Sequence, residues 1–218
     1  MRSLVVGASG GIGSALAEAL GERGEVVSLS RGEDGLDVRD EASVERCLGA
    51  LQGEFDLILC AVGILDAGAP PEKSIAAVTP VSMTRLFEVN AAGPMLVLKH
   101  ALRLLPKDRP ATFAALSARV GSIGDNRIGG WHSYRASKAA LNMLMHGAAI
   151  ELARTHRQAT LLCLHPGTVA TPFTEDYTAR HTTVPPAEAA ANLLAVLDRL
   201  GPEESGGFFD QHGRGIDW

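Results

Sequence analysis

A tyrosine and a lysine four residues apart, Tyr134 and Lys138, form the pair in this sequence best suited to acid–base chemistry. At this spacing in a helix, two side chains share one face, with Cβ atoms about 5–6 Å apart. A free tyrosine has a pKa of about 10 and exchanges protons poorly at neutral pH. A neighbouring ammonium stabilises the phenolate and lowers that pKa. We therefore expect Tyr134 to exchange a proton with a carbonyl or alcohol oxygen during hydride transfer.

A glycine-rich loop near the start of the chain is the second candidate site. An apolar run at 3–6 leads into the sequence GASGGIG at 7–13, and a helix is predicted over 14–23. Glycines permit positive φ angles and let the backbone approach a ligand closely. The start of a helix presents unpaired N–H groups and a partial positive charge. These features favour binding of a dinucleotide pyrophosphate.

The same loop also matches the G-x-S-x-G nucleophile elbow of α/β-hydrolases, with Ser9 as the nucleophile. That elbow works with an oxyanion loop that follows an earlier strand. Only six residues precede Gly7, so hydrolysis is the weaker hypothesis. Its test is Ser9→Ala, which should abolish ester cleavage if the hydrolase hypothesis is correct.

The residues after the second apolar run bear on which dinucleotide is bound. Dinucleotide folds place an acid there for the ribose 2′-hydroxyl of NAD, or an arginine for the 2′-phosphate of NADP. This sequence has Ser30 and Arg31 at that point. A hydroxyl and a guanidinium suit a phosphate, so we predict NADP(H) in preference to NAD(H).

Short apolar runs alternate with helical patterns along the whole chain. Buried runs of this kind predict a mostly parallel sheet with helices on both faces, a doubly wound α/β fold of the Rossmann type. Seven strands are predicted, at 3–6, 25–30, 35–38, 56–62, 112–117, 160–165 and 207–210. Five helices are predicted, over 14–23, 41–51, 82–105, 133–156 and 186–200.

The composition argues against several classes of protein. The 218 residues are 46% hydrophobic and carry a net charge of −5, so we expect a single domain over 1–218 without the basic face of a nucleic-acid binder. No apolar run reaches about 18 residues, which argues against a membrane span. An odd number of cysteines, three, favours reduced thiols in a cytoplasmic protein. The seven histidines show no HExxH pattern, so no metal is expected.

Taken together, these motifs resemble the short-chain dehydrogenase/reductase family over essentially the whole chain. The matching stretches are GASGGIG at 7–13, Asp37-Val38, VNAAG at 89–93, Ser117, YRASKAA at 134–140 and PGTVAT at 166–171. The stretch at 117–142 and the ending GGFFDQHGRGIDW are similar to the carbonyl-reductase-like subgroup that includes the C-factor signalling proteins. The resemblance implies hydride transfer between NADP(H) and a carbonyl or alcohol substrate.

The resemblance also assigns roles. Tyr134 would be the acid–base, and Lys138 would lower its pKa and bind the nicotinamide ribose. Asn90 would bend the fourth helix and bind a water that links Lys138 to solvent, and Ser117 would polarise the substrate oxygen. The residues expected at the cofactor are Gly7, Ser9, Gly11, Ile12, Gly13, Ser30, Arg31, Asp37, Val38, Ala61, Val62, Gly63, Tyr134, Lys138, Pro166, Gly167, Val169 and Thr171.

Three departures from the family pattern affect the expected pocket. The fourth strand ends in Cys-Ala-Val-Gly at 60–63, where the family has Asn-Asn-Ala-Gly. The usual Ser-Ser pair is Ser117-Ala118, so either Ser117 or Ser122 must take the serine role. The segment after Thr171 is short, which predicts an open pocket. Four aromatic or imidazole side chains are candidates for the pocket wall and its lid: Trp131, His132, Phe173 and Tyr177.

Two further expectations concern what the protein does with its partners. The apolar faces of the helices at 82–105 and 133–156 exceed what one sheet face needs, which favours a homodimer or homotetramer. The missing second serine and the C-factor resemblance also allow a different class of function, a dinucleotide-binding regulatory protein with little turnover.

Overall fold

The chain forms one sheet of parallel strands with helices on both faces. The structure is a computed structural model that describes residues 1–175 and 182–218. Within those residues there are six strands, β1 (Arg2–Val6), β2 (Glu25–Leu29), β3 (Leu57–Cys60), β4 (Ala111–Leu116), β5 (Ala159–His165) and β6 (Phe208–Asp210). Their order across the sheet is β2-β1-β3-β4-β5-β6, which confirms the predicted doubly wound fold.

The strand order reverses at β1, which lies between β2 and β3. Val6 is paired with Leu29 of β2 and with Cys60 of β3, so the three strands end level with one another. In open α/β sheets, ligands bind beyond the carboxyl ends of the strands at such a switch point. The segments that follow these three residues therefore border the expected cofactor site.

The helices cover both faces of the sheet. They are α1 (Gly11–Gly21), α2 (Arg31–Asp34), α3 (Glu41–Gly49), α4 (Pro80–Phe87), α5 (Gly93–Ala101), α6 (His132–Leu152) and α7 (Pro186–Leu197). On one face, Leu16 of α1 and Leu193 of α7 belong to the same buried cluster as Val5. On the other, Leu141 of α6 belongs to the cluster that contains Leu4. Successive β1 residues point to opposite faces and so enter different cores.

The predicted strand at 35–38 is wrong, and the described part of the sheet has six strands where seven were expected. After β2, the Ser30 side chain caps the one-turn helix α2. Gly35 then adopts the left-handed conformation, with φ 68°. The Asp37 amide donates to the Ser43 hydroxyl and to the Gly35 carbonyl. These local bonds use the backbone donor that a ladder with β2 would need.

The predicted helix over 82–105 is interrupted. α4 is followed by a π-helical turn at Glu88–Ala92, then by α5 and a 3₁₀ turn at Leu102–Leu104. Turns of this kind are rare in proteins, and those that occur are often found at functional sites. The turn here contains Asn90, which is completely buried. Across the described helices, none is both long and apolar enough to cross a membrane.

Candidate active site

A cavity of about 660 Å³ opens at the carboxyl ends of the central strands. Its walls come from the start of α1, the loops after β3, β4 and β5, and the first turns of α6. The predicted site residues that line it are Gly11, Ile12, Gly13, Ala61, Val62, Gly63, Ser117, Tyr134, Lys138, Pro166, Gly167, Val169 and Thr171. The remaining predicted residues lie outside this lining: Gly7, Ser9, Ser30, Arg31, Asp37, Val38 and Asn90.

Tyr134 and Lys138 lie together on the buried face of α6, with 5% and 3% of their surfaces exposed. The Lys138 ammonium is 6.0 Å from the centre of the Tyr134 ring. Its Nζ donates to the carbonyl of Leu116, at the end of β4, over 2.9 Å. This bond joins the catalytic candidates on α6 to the central sheet.

Burial shifts the pKa values of both residues. It raises the pKa of the Tyr134 hydroxyl above its ordinary value and lowers the pKa of Lys138 to about 8. The sequence predicts that Lys138 lowers the tyrosine pKa, and in the structure the opposite effect of burial is the larger. Tyr134 packs in an apolar cluster with Leu65 and Leu86, so desolvation of the phenolate dominates. A tyrosine that stays protonated suits proton donation to a carbonyl oxygen.

Asn90 connects the loop after β3 to α6. Its Oδ1 accepts from the Ile64 amide and its Nδ2 donates to the Ile64 carbonyl, each over 2.8 Å. Nδ2 also donates to the Ser137 hydroxyl over 3.1 Å. A Cβ at Gly63 would lie 3.4 Å from both Asn90 Oδ1 and Lys138 Nζ. Backbone bonds to Asn90 thus fix this loop, although the family's asparagines at its start are absent.

The two candidate serines occupy different environments. Ser117 lines the cavity, and its Oγ donates to Asn142 Oδ1 over 2.6 Å. Ser122 is buried and does not line the cavity. Its Oγ accepts from the Asp125 amide over 3.0 Å and so stabilises the turn that follows. The geometry favours Ser117 for contact with a substrate.

The glycine loop has the geometry of a phosphate site. Gly7 has φ 90°, and a Cβ there would lie 3.0 Å from the Ala61 backbone. A Cβ at Gly13 would lie 2.2 Å from the Gly7 carbonyl oxygen. The first turn of α1 has neither an acidic residue nor a side-chain cap, so its amides remain available to an anion. These residues fit the pyrophosphate of a dinucleotide.

The segment after β2 presents a cation where a 2′-phosphate would lie in a dinucleotide fold. Arg31 is exposed at the start of α2. The Ser30 hydroxyl accepts from the Glu33 amide, which leaves the hydroxyl proton available. Asp37, the carboxylate of the family motif that follows α2, forms an ion pair with Arg39. That hydrogen-bonded pair lowers the pKa of Asp37 to about 2.

One contiguous segment, 119–129, forms part of the cavity wall. It contributes Arg119, Asp125 and Arg127 to the lining. Arg119 forms ion pairs with Asp125 and with the buried Asp210. Sequence patterns did not identify this wall, because its cations follow no motif.

Only some of the aromatic and imidazole side chains predicted for the pocket are found in its lining. Trp131 and Phe173 line the cavity, whereas His132 does not. Tyr177 lies outside the described residues. Trp131 adopts φ 50°, the only positive φ of a non-glycine residue in the described chain, immediately before α6. Its ring contacts that of Tyr134 edge to face, with centroids 6.1 Å apart.

Comparisons with known proteins identify similar sequences and folds. A family model described as enoyl-(acyl carrier protein) reductase matches residues 7–205. The 1-hydroxy-2-glutathionyl-2-methyl-3-butene dehydrogenase of a Rhodococcus species is 36% identical over 228 residues, covering 99% of this chain and 98% of that protein. The C-signal protein of Myxococcus xanthus is 38% identical over 136 residues, covering 62% of this chain and 78% of that protein.

A solved structure has the same fold over the full length. It is a short-chain dehydrogenase/reductase from Burkholderia multivorans with bound NADP, and it is 25% identical to this chain. The TM-score is 0.83, and the match covers 100% of this chain and 99% of that chain.

Proposed function

This chain belongs to the short-chain dehydrogenase/reductase family, and we propose that it is an NADP(H)-dependent reductase of small carbonyl compounds. It is an NAD(P)-dependent oxidoreductase, as its relatives in that family are. One observation supports the finer assignment above the rest. Tyr134, Lys138 and Ser117 line one cavity together with the glycine loop at the switch point of the sheet.

Each of these side chains has a role in carbonyl reduction. NADPH, when bound, supplies the hydride that reduces the carbonyl carbon to an alcohol. Tyr134 donates its proton to the carbonyl oxygen, and Ser117 donates a hydrogen bond to the same oxygen. Lys138 provides positive charge near the tyrosine ring as the phenolate forms. Asn90 positions the Ile64 backbone and Ser137 around this pair.

The preference for NADP(H) rests on the segment after β2. The Arg31 guanidinium is exposed there, and the Ser30 hydroxyl retains its proton. The Asp37 carboxylate is neutralised by Arg39, so it does not repel a phosphate. A NADP-bound relative of similar fold agrees with this assignment.

A second candidate function is dinucleotide-dependent regulation with little turnover. Ala118 lines the cavity where the family has its second serine, and the C-signal protein is a relative. If this second function were correct, Tyr134→Phe would leave the biological role intact.

The deciding experiment measures NADPH binding and NADPH oxidation with a panel of small ketones and aldehydes. We expect tight binding and turnover in the natural protein. Tyr134→Phe should lower kcat by roughly 10²–10⁴-fold, a far larger effect than any change in the Kd for NADPH. Binding without turnover on any compound would favour the regulatory function.

We also propose that the protein is a homodimer or homotetramer. Large apolar side chains are exposed on α4 and α6, and these helices contact one another. They are Val81, Met83, Phe87, Met143 and Ile150. Light scattering of the purified protein at two concentrations tests this assembly.

A further inference from the structure

Asn142 continues the buried face of α6 that carries the catalytic candidates. Tyr134, Lys138 and Asn142 are spaced by four residues and are all buried, so they form one row along the helix. Lys138 bonds to the Leu116 carbonyl and Asn142 bonds to the Ser117 hydroxyl. Two successive residues at the end of β4 are thus bonded by two successive members of this row.

Among the described residues, only one of the two polar atoms of the Asn142 amide has a hydrogen-bond partner. Its Oδ1 accepts from Ser117, whereas its Nδ2 is buried with no hydrogen-bond partner among the described residues. A serine hydroxyl has a single proton. While that proton goes to Asn142, Ser117 cannot donate to a substrate oxygen.

A half-turn of the Asn142 amide gives Nδ2 a partner and frees the serine proton, and it places Oδ1 where Nδ2 lay. It exchanges the positions of Oδ1 and Nδ2, which have nearly the same shape. Nδ2 then donates to Ser117 Oγ, and the serine proton becomes available to the cavity. We propose that Asn142 is a positioning residue that donates to Ser117 and directs the serine proton toward the substrate carbonyl oxygen.

This inference rests on the proposed reductase function and adds a residue to it. It also accounts for the sequence at the end of β4, where Ala118 replaces the family's second serine. With a single hydroxyl at this position, its direction must be set by a neighbour. Asn142 is the side chain whose amide lies 2.6 Å from that hydroxyl.

The discriminating variant is Asn142→Asp, which has the same size but, when ionised, can only accept hydrogen bonds. The ionised carboxylate accepts the hydrogen bond from the Ser117 hydroxyl, which then cannot donate to the substrate. We therefore expect kcat to fall roughly 10- to 100-fold at neutral and higher pH. Burial raises the pKa of the introduced carboxyl. As the pH falls through that pKa, the protonated group can donate again and kcat should recover toward the natural value.

The matched control is Asn192→Asp on α7, which makes the same chemical change in the helix layer on the opposite face of the sheet. It should leave kcat and its pH profile unchanged. An Asn142→Asp protein with a natural kcat and pH profile would overturn the proposal, because a permanent acceptor role for Asn142 predicts that result.

A double-mutant cycle tests the same point without a buried carboxylate. Asn142→Ala should lower kcat roughly 10-fold in the natural background and cause no further loss in Ser117→Ala, because both act through one hydrogen bond. The Kd for NADPH should be constant throughout. Additive losses, or losses that follow NADPH affinity, would show a general structural role and overturn the proposal.

The failure of this inference is distinct from failure of the reductase function. The reductase function is tested by turnover of the natural protein and its loss in Tyr134→Phe. The Asn142 proposal concerns only the ratio of kcat values among active proteins and their pH profiles.

Discussion

Ser133 donates both its backbone amide and its hydroxyl to the carboxylate of Glu72, 61 residues earlier in the chain. The Glu72 carbonyl accepts from the Trp131 amide as well. All of these bonds are made just before Tyr134, at the N-terminus of α6, where a carboxylate is favoured by the helix dipole. Glu72 therefore anchors the first turn of α6 to the loop after β3.

Removal of this anchor should destabilise the protein and misplace Tyr134. Glu72→Ala leaves two buried donors unsatisfied, so we expect a loss of about 1–3 kcal/mol and a Tm lower by several degrees. Glu72→Gln retains one acceptor and should lose less. Differential scanning calorimetry measures the stability of both variants, and equal Tm values for all three proteins would contradict this account.

The same carboxylate predicts a pH dependence of stability. Burial opposes ionisation of Glu72, but the hydrogen bonds from Ser133 and from the Glu72 amide, together with nearby His132, outweigh it, so the Glu72 pKa lies below its ordinary value of 4.5. An acid with a lowered folded-state pKa contributes stability above the ordinary value and loses it as the pH falls through the folded pKa. Urea unfolding at pH values from 7 to 3 should show this loss, and Glu72→Gln should reduce it.

We expect Lys138 to lower the stability of the fold while it supports turnover. Its folded-state pKa of about 8 lies below the ordinary 10.5, so the charged form destabilises the fold at neutral pH and this effect disappears as the pH rises from 8 to 10.5. Lys138→Met removes that cost. We expect a gain of about 1–3 kcal/mol, reduced by the lost bond to Leu116, together with loss of turnover. A variant with an unchanged or lower Tm at pH 7 would contradict the first expectation.

Two glycines of α1 offer a matched pair. A Cβ at Gly13 would meet the Gly7 carbonyl, whereas nothing lies within 4 Å of a Cβ at Gly21. Gly13→Ala should therefore displace the loop and weaken NADPH binding at least 10-fold, roughly the effect of one lost hydrogen bond. Gly21→Ala should leave binding unchanged and stabilise the helix by about 0.5–1 kcal/mol. Fluorescence titration with NADPH compares the two, and equal affinities would count against the phosphate site.

We expect Arg31 to contribute to the affinity for NADPH and little to the affinity for NADH. Arg31→Ala removes the cation that we propose binds the 2′-phosphate, so NADPH affinity should fall roughly 10- to 100-fold while NADH affinity changes little. Arg23→Ala, which breaks an exposed ion pair with Asp198, is the control. A parallel change for both dinucleotides would indicate that Arg31 does not read the phosphate.

Local patterns predicted most of the fold, and the failures follow from contacts that patterns do not encode. The Tyr134–Lys138 spacing and the glycine loop are local features, so the sequence identified them directly. The strand predicted at 35–38 fails because Ser43, on α3, takes the Asp37 amide. Glu72 is distant in sequence from the helix it anchors, and no motif indicates it.

Asn142 is an intermediate case. Its spacing from Tyr134 and Lys138 places it on their helix face, and that signal is present in the sequence. Its bond to Ser117, however, spans 25 residues and depends on how α6 packs on β4. The serine role could not be assigned from sequence for the same reason.

The cavity wall formed by one contiguous segment, 119–129, has a consequence for how this enzyme can diversify. In the proposed mechanism, proton transfer uses α6 and the end of β4, whereas another part of the cavity wall comes from the single connection between those two elements. Surface connections tolerate exchange and changes of length better than the elements they join. We therefore expect substrate range to change when this connection is grafted from a relative, provided that Gly121 is kept, because a Cβ there would lie 2.8 Å from Lys138.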